Sequence, residues 1–101
     1  MVRILLLCVA GMSTSLMVKK MQDAAAKKGI EAEIKAVDLG KFQENLDKYD
    51  VFLLGPQVKY KKPELEKIAA TVGKKVEVIN TVDYGMMKGD KVLDFALGLI
   101  K

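Results

Sequence analysis

The chain has 101 residues, 50% of them apolar and 30% charged, with a formal net charge of +4, one cysteine and no histidine. That balance excludes a disordered chain, and the length suits one compact domain, 1–101, with its own core. A single cysteine excludes an internal disulfide and points to a reducing compartment. The composition is too poor in ligands for zinc or another transition metal, and no stretch approaches the roughly 20 apolar residues of a bilayer span.

Residues 1–10 have the look of a short signal peptide, but the apolar run is brief and leads into a small-residue loop and a helix, so we read it as structure. Val2 to Cys8 is almost continuously apolar, as a strand covered on both faces requires. Residues 13–28 place Met17, Val18, Met21, Ala24 and Ala25 on one helical face, and Gly29 supplies a stop. Residues 30–37 alternate, with Ile30, Ala32, Ile34 and Ala36 facing one way, and read as an outer strand. A short helix is predicted over 40–48 with Phe42 and Leu46 inward.

Val51 to Leu54 is a compact apolar strand that Gly55-Pro56 ends sharply. Pro63 suits the first turn of a helix carrying Leu65, Ile68, Ala69 and Val72, closed by Gly73. Residues 76–79 form a fourth strand. Met86 and Met87 read as core or edge filler. Asp90 is the predicted N-cap of a last helix with Leu93, Ala96, Leu97 and Ile100 inward.

Strand and helix thus alternate, which predicts an α/β fold in three layers: a four-stranded parallel sheet of order 2-1-3-4 with helices on both faces. This is similar to the topology of low-molecular-weight phosphatases. The switch point falls between strands 1 and 3, and ligands bind outside the carboxyl ends of such strands. Two loops flank that crevice, 8–15 and 55–62.

The first loop carries the chemistry. Cys8 sits where a buried strand ends. Val9, Ala10, Gly11, Met12, Ser13, Thr14 and Ser15 then lead into a helix. Small residues let consecutive backbone N–H groups converge, and a helix N-terminus adds about half a positive charge. The result is an anion nest with a sulfur at its floor, and its field favours the thiolate, which is the nucleophile. The plainer alternative is that Cys8 only packs and the hydroxyls only cap the helix.

Neighbouring chemistries fit less well. The Cys-x5-Arg pattern of tyrosine phosphatases would put arginine where Thr14 stands, and Arg3 is the only arginine in the chain. An arginine contributes heavily to stabilising a transferring phosphoryl group. Without it, the site looks built to hold a phosphoryl group rather than to hydrolyse it. A receiver domain would need a phosphorylatable aspartate ending strand 3, where Leu54-Gly55 stands, and no nucleotide-binding glycine motif occurs.

In the second loop, Gln57 and Tyr60 either orient the first loop or meet a partner; the alternative is a plain turn beside a solvated lysine cluster (Lys59, Lys61, Lys62). Those lysines, with Lys19 and Lys20, either meet an acidic partner surface or serve solubility. Nucleic-acid binding is not expected. Met12 is read as an exposed side chain that packs against partners.

These stretches resemble the IIB subunit of the lactose/cellobiose (chitobiose) class of the bacterial phosphoenolpyruvate-dependent sugar phosphotransferase system. The resemblance rests on Leu7-Cys-Val-Ala-Gly-Met-Ser-Thr-Ser-Leu16, on Leu53-Leu-Gly-Pro-Gln57 with Tyr60 and Pro63-Glu64, and on Val76-Glu-Val-Ile79 with Tyr84-Gly85. It spans essentially the whole chain. It implies a phosphotransferase in a relay. A phosphohistidine on a IIA partner donates its phosphoryl group to Cys8, and the phosphocysteine passes it to a cellobiose-, chitobiose- or lactose-type sugar carried by the membrane IIC partner. Residues 9–15 would hold the phosphate, chiefly through backbone N–H groups.

No cofactor or metal is implied. The chain would be cytoplasmic, transiently at the inner membrane face, and monomeric. Two other readings remain open at this level: a stand-alone cysteine phosphatase or arsenate-reductase-like enzyme, and a non-catalytic binding module with an inert Cys8.

Overall fold

The computed structural model describes residues 1–8 and 12–100, with Met12 and Ser13 described by their backbone only. Its strands are β1 (Val2–Cys8), β2 (Ala32–Asp38), β3 (Val51–Leu54) and β4 (Lys75–Val78), all parallel, in the predicted order β2-β1-β3-β4. Its helices are α1 (Met12–Lys27), α2 (Lys62–Ala70), α3 (Thr81–Gly85) and α4 (Gly89–Ile100).

The side-chain period of two divides the strands between two cores. Ile4, Leu6, Val51 and Leu53 point to one face, where Met17, Met21, Ala24 and Ala25 of α1 and Val92, Leu93 and Ala96 of α4 cover them. Leu5, Leu7, Phe52 and Leu54 point to the other, under Phe42, Val58 and the α2 residues Leu65 and Ala69. Ile4 to Leu7 and Val51 to Leu54 are all fully buried, so the continuous apolar runs are explained by helices on both sides. Phe42 and Phe52 meet edge to face, with ring centroids 5.0 Å apart. The outer strand keeps the predicted face: Ile34 is buried and Ile30, Ala32 and Ala36 pack beside it.

The structure departs from the sequence reading at the connections. Residues 40–48 do not form a helix but two 3-10 turns, Leu39–Lys41 and Gln43–Asn45. Asp38 accepts a hydrogen bond from Gly40 N and pins the first turn. The Asn45 side chain donates to Lys41 O at 2.8 Å, occupying the carbonyl that an α-helix would offer to the backbone N–H of residue 45. Phe42 is still buried and Leu46 still packs on the core.

The second flanking loop is a 3-10 segment, Pro56–Lys61, that runs into α2. Because α2 ends at Ala70, Val72 leaves the buried face and is 46% exposed. Helix α3 was not predicted; Asn80 caps it by accepting from Val82 N and Asp83 N.

Helix α4 starts at Gly89, so Asp90 lies in its first turn and is not its N-cap. Val92 is buried there and Ile100, at the end, is 38% exposed. Of the two methionines read as filler, Met87 packs on the core, whereas Met86 is 64% exposed.

Candidate functional site

Cys8 ends β1, beside Asp38 of β2 in register. On its other side the ladder runs one step past the strands: Gly55 N donates to Leu7 O at 3.0 Å, and Ile79 N donates to Leu54 O at 2.9 Å. The carboxyl ends of β1, β3 and β4 are thus tied together where the strand order reverses, the place where such sheets bind ligands.

Helix α1 leads away from this point, and its first turn returns a side chain to the sulfur. Thr14 Oγ1 lies 3.0 Å from Cys8 Sγ, within hydrogen-bonding distance. Both groups are buried, Thr14 at 0% exposure and Cys8 at 1%. Val9, Ala10 and Gly11, read from sequence as the phosphate-holding loop, lie outside the described residues, as do the side chains of Met12 and Ser13. Ser15 is exposed in the first turn of α1.

The second loop reaches the same spot. A Cβ built on Gly55 would sit 3.6 Å from Cys8 Cβ and only 2.7 Å from Gln57 Oε1, so the Gln57 amide folds back over Gly55 beside Cys8. Gln57 Nε2 also donates to the Tyr84 hydroxyl at 3.4 Å, which links the turn after β3 to α3. Tyr60, from the same turn, is 67% exposed.

The lysine cluster is not uniformly available. Lys61 pairs with Glu64 at 3.4 Å, and Lys62 pairs with Glu77 at 2.9 Å and Glu66 at 3.9 Å. Lys59, Lys19 and Lys20 are exposed. Sequence reasoning singled out Gln57 but missed that Tyr84 and Gly55 hold it. The signal was present, since Tyr84-Gly85 belongs to the stretches that carry the resemblance, but a pairing across 27 residues has no local pattern.

Residues 3–95 match the family model described as the lactose/cellobiose-specific IIB subunit of the phosphotransferase system. This chain belongs to that family. It is a sugar-transport phosphotransferase-system component of the lactose/cellobiose type, whose family implies IIA and IIC partners.

Among curated relatives, it is 47% identical over 100 residues to the oligo-beta-mannoside-specific EIIB component of Bacillus subtilis (strain 168), covering 99% of this chain and 97% of that one. It is 49% identical over 102 positions to the cellobiose-specific EIIB component of Lactococcus lactis subsp. lactis (strain IL1403), covering 96% and 94%.

Among solved structures, the cellobiose-specific IIB component of Borrelia burgdorferi superposes with a TM-score of 0.81 at 43% identity, over 98% of this chain and 91% of that one. The lactose-specific IIB domain of Streptococcus pneumoniae superposes with a TM-score of 0.89 at 19% identity, over 99% and 98%, a likeness of fold. Among the described residues no helix is long and apolar enough to cross a membrane, and no group of three or more acidic, histidine or cysteine side chains is placed to hold a metal ion.

Proposed function

We propose that this chain is the phosphoryl carrier of a lactose/cellobiose-type phosphotransferase system and that Cys8 carries the group. The observation that supports this most strongly is the position of Cys8 Sγ. It lies at the switch point of the sheet, beside the first turn of α1, with the Thr14 hydroxyl 3.0 Å away. The hydroxyl lies within hydrogen-bonding reach of the sulfur, and a helix N-terminus attracts the negative charge of a phosphoryl group.

Two displacements complete the cycle. In the first, the Cys8 thiolate attacks the phosphorus of a phosphohistidine on the IIA partner. The N–P bond breaks as the S–P bond forms, and the freed imidazole nitrogen keeps the electron pair. In the second, a hydroxyl of a cellobiose-, chitobiose- or lactose-type sugar, held by the IIC membrane partner, attacks the same phosphorus. The S–P bond breaks, the thiolate is regenerated and the sugar hydroxyl proton is released.

Val9, Ala10, Gly11, Met12, Ser13, Thr14 and Ser15 hold the phosphoryl group, mainly through backbone N–H groups. No cofactor takes part. The chain acts as a single-domain monomer on the cytoplasmic side, visiting two partners in turn through small, short-lived interfaces.

Intact-mass measurement after incubation with a phosphohistidyl IIA donor tests this reading. One added phosphoryl group is expected on the wild-type chain and none on Cys8→Ser. No gain with any of several IIA donors contradicts it.

A further inference from the structure

The Gln57 amide is held from two sides at the edge of the site. Its Oε1 and Cδ lie 2.7 and 3.3 Å from the point where a Cβ on Gly55 would be, and that same point is 3.6 Å from Cys8 Cβ. Its Nε2 donates one N–H to the hydroxyl of Tyr84. Tyr84 is itself anchored: its ring packs on the core beneath α1 and α4, and its backbone N–H donates to Asn80 O at 2.9 Å.

Gln57 is otherwise an exposed side chain on a 3-10 turn, free to lose rotamer entropy only if something holds it. The absence of a side chain on Gly55 is what makes room for the amide. The Gly55 backbone, at φ −62 and ψ 148, suits any residue, so room rather than backbone freedom is the reason for glycine here.

A primary amide has two donor hydrogens on nitrogen, and Tyr84 takes one. A phosphoryl group on Cys8 brings nearly two negative charges and three strong acceptor oxygens to this spot. We propose that Gln57 is a phosphoryl-contacting residue: its second Nε2 hydrogen donates to an oxygen of the phosphoryl group on Cys8, and Tyr84 is the positioning residue that aims it. The proposal rests on Cys8 being the carrier. It also gives a role to a neutral donor in a site without arginine. An amide holds the group by one hydrogen bond and leaves its charge unneutralised, so the group is kept but not locked in place.

The test is the equilibrium constant for phosphoryl exchange with a phosphohistidyl IIA donor, together with the side-chain amide signals of 15N-labelled protein before and after phosphorylation. In the wild type, the Gln57 side-chain amide resonance is expected to shift on phosphorylation. Gln57→Ala is expected to lower the equilibrium constant about tenfold, the usual size of one lost hydrogen bond to a charged group. Gln57→Glu is expected to lower it further by like-charge repulsion.

Tyr84→Phe keeps the ring and removes the hydroxyl; it is expected to weaken the constant in the wild-type background and to add nothing to Gln57→Ala. Gly55→Ala keeps Gln57 but displaces its amide, so it is expected to reproduce the Gln57→Ala loss with thermal stability unchanged. If all four variants stay within twofold of the wild type and the Gln57 amide signal does not move, the Gln57 role is overturned while Cys8 stands. If the wild type gains no phosphoryl group, the carrier reading itself fails.

Discussion

A buried hydroxyl facing a buried sulfur is the most telling pair in the chain. Thr14 sits at 0% exposure with its Oγ1 3.0 Å from Cys8 Sγ. Valine matches threonine in shape but has no hydroxyl. Thr14→Val is therefore expected to slow alkylation of Cys8 by iodoacetamide severalfold, because the hydroxyl that contacts the sulfur and fixes its position is gone. Its cost in stability should be about 1 kcal/mol, the net size of one hydrogen bond. Equal rates for Thr14→Val and wild type would remove Thr14 from the chemistry.

At this scale the sequence told much but not all. Cys8 at the end of β1 and Gln57 in the turn after β3 could be named as candidates from residue types and order. The depth of burial of Cys8 and the Gln57–Tyr84 contact could not, because both depend on which distant segments close over the site.

Among the elements, the two glycines of α4 make opposite predictions. A Cβ at Gly89 would lie 2.5 Å from the carbonyl carbon of Lys20 and 2.7 Å from its oxygen, so α1 and α4 touch backbone to backbone there. A rigid neighbour cannot give way cheaply. Gly89→Ala is expected to destabilise the fold by about 1–3 kcal/mol in urea unfolding, the scale of overpacking. Gly98, exposed in the same helix, has nothing within 4 Å of its would-be Cβ. Gly98→Ala is expected to add about 0.5–1 kcal/mol through helix propensity. In the opposite core, Phe52→Ala removes half of an aromatic pair and is expected to cost about 3–5 kcal/mol.

The same elements show where sequence patterns succeed. β1 and β3 were read to the residue because each is a short apolar run buried on both faces, and α1, read as 13–28, to within one residue at each end because its stripe is long. The 3-10 turns after β2 escaped notice because they are decided by side-chain hydrogen bonds to backbone at Asp38 and Asn45, which compete with a helix without changing the apolar spacing. Helix α3 is five residues long, with Val82 exposed, and so left no periodic signal.

For the molecule as a whole, two described groups, Tyr49 and Lys62, are shifted from their ordinary values. Burial raises the Tyr49 phenol above its ordinary value of 10.0, and the nearby Glu33 carboxylate raises it further, against a smaller lowering by Arg3. Lys62 is raised from 10.5, first by its hydrogen bond to Glu77 and then by the charge of that carboxylate. In both cases the folded state holds the proton more tightly than the unfolded chain. The stability they contribute is therefore complete below about pH 10 and is lost as pH rises through the folded values. The urea midpoint is expected to be flat across neutral pH as far as these two groups act, and to fall above pH 10, less steeply in Tyr49→Phe. A fall of equal steepness in that variant would show that Tyr49 is not a source.

The fold at this scale was legible because strand-helix alternation and right-handed crossovers leave few arrangements for four parallel strands. The central claim is that one sulfur takes a phosphoryl group and gives it up to a sugar. The most direct measurement follows radiolabelled phosphate from the purified phosphorylated chain, mixed with IIC-containing membranes and a disaccharide of the cellobiose or lactose type. The account predicts that the label leaves Cys8 only when both membranes and sugar are present, and appears as sugar phosphate. Steady release of inorganic phosphate by the chain alone would contradict it.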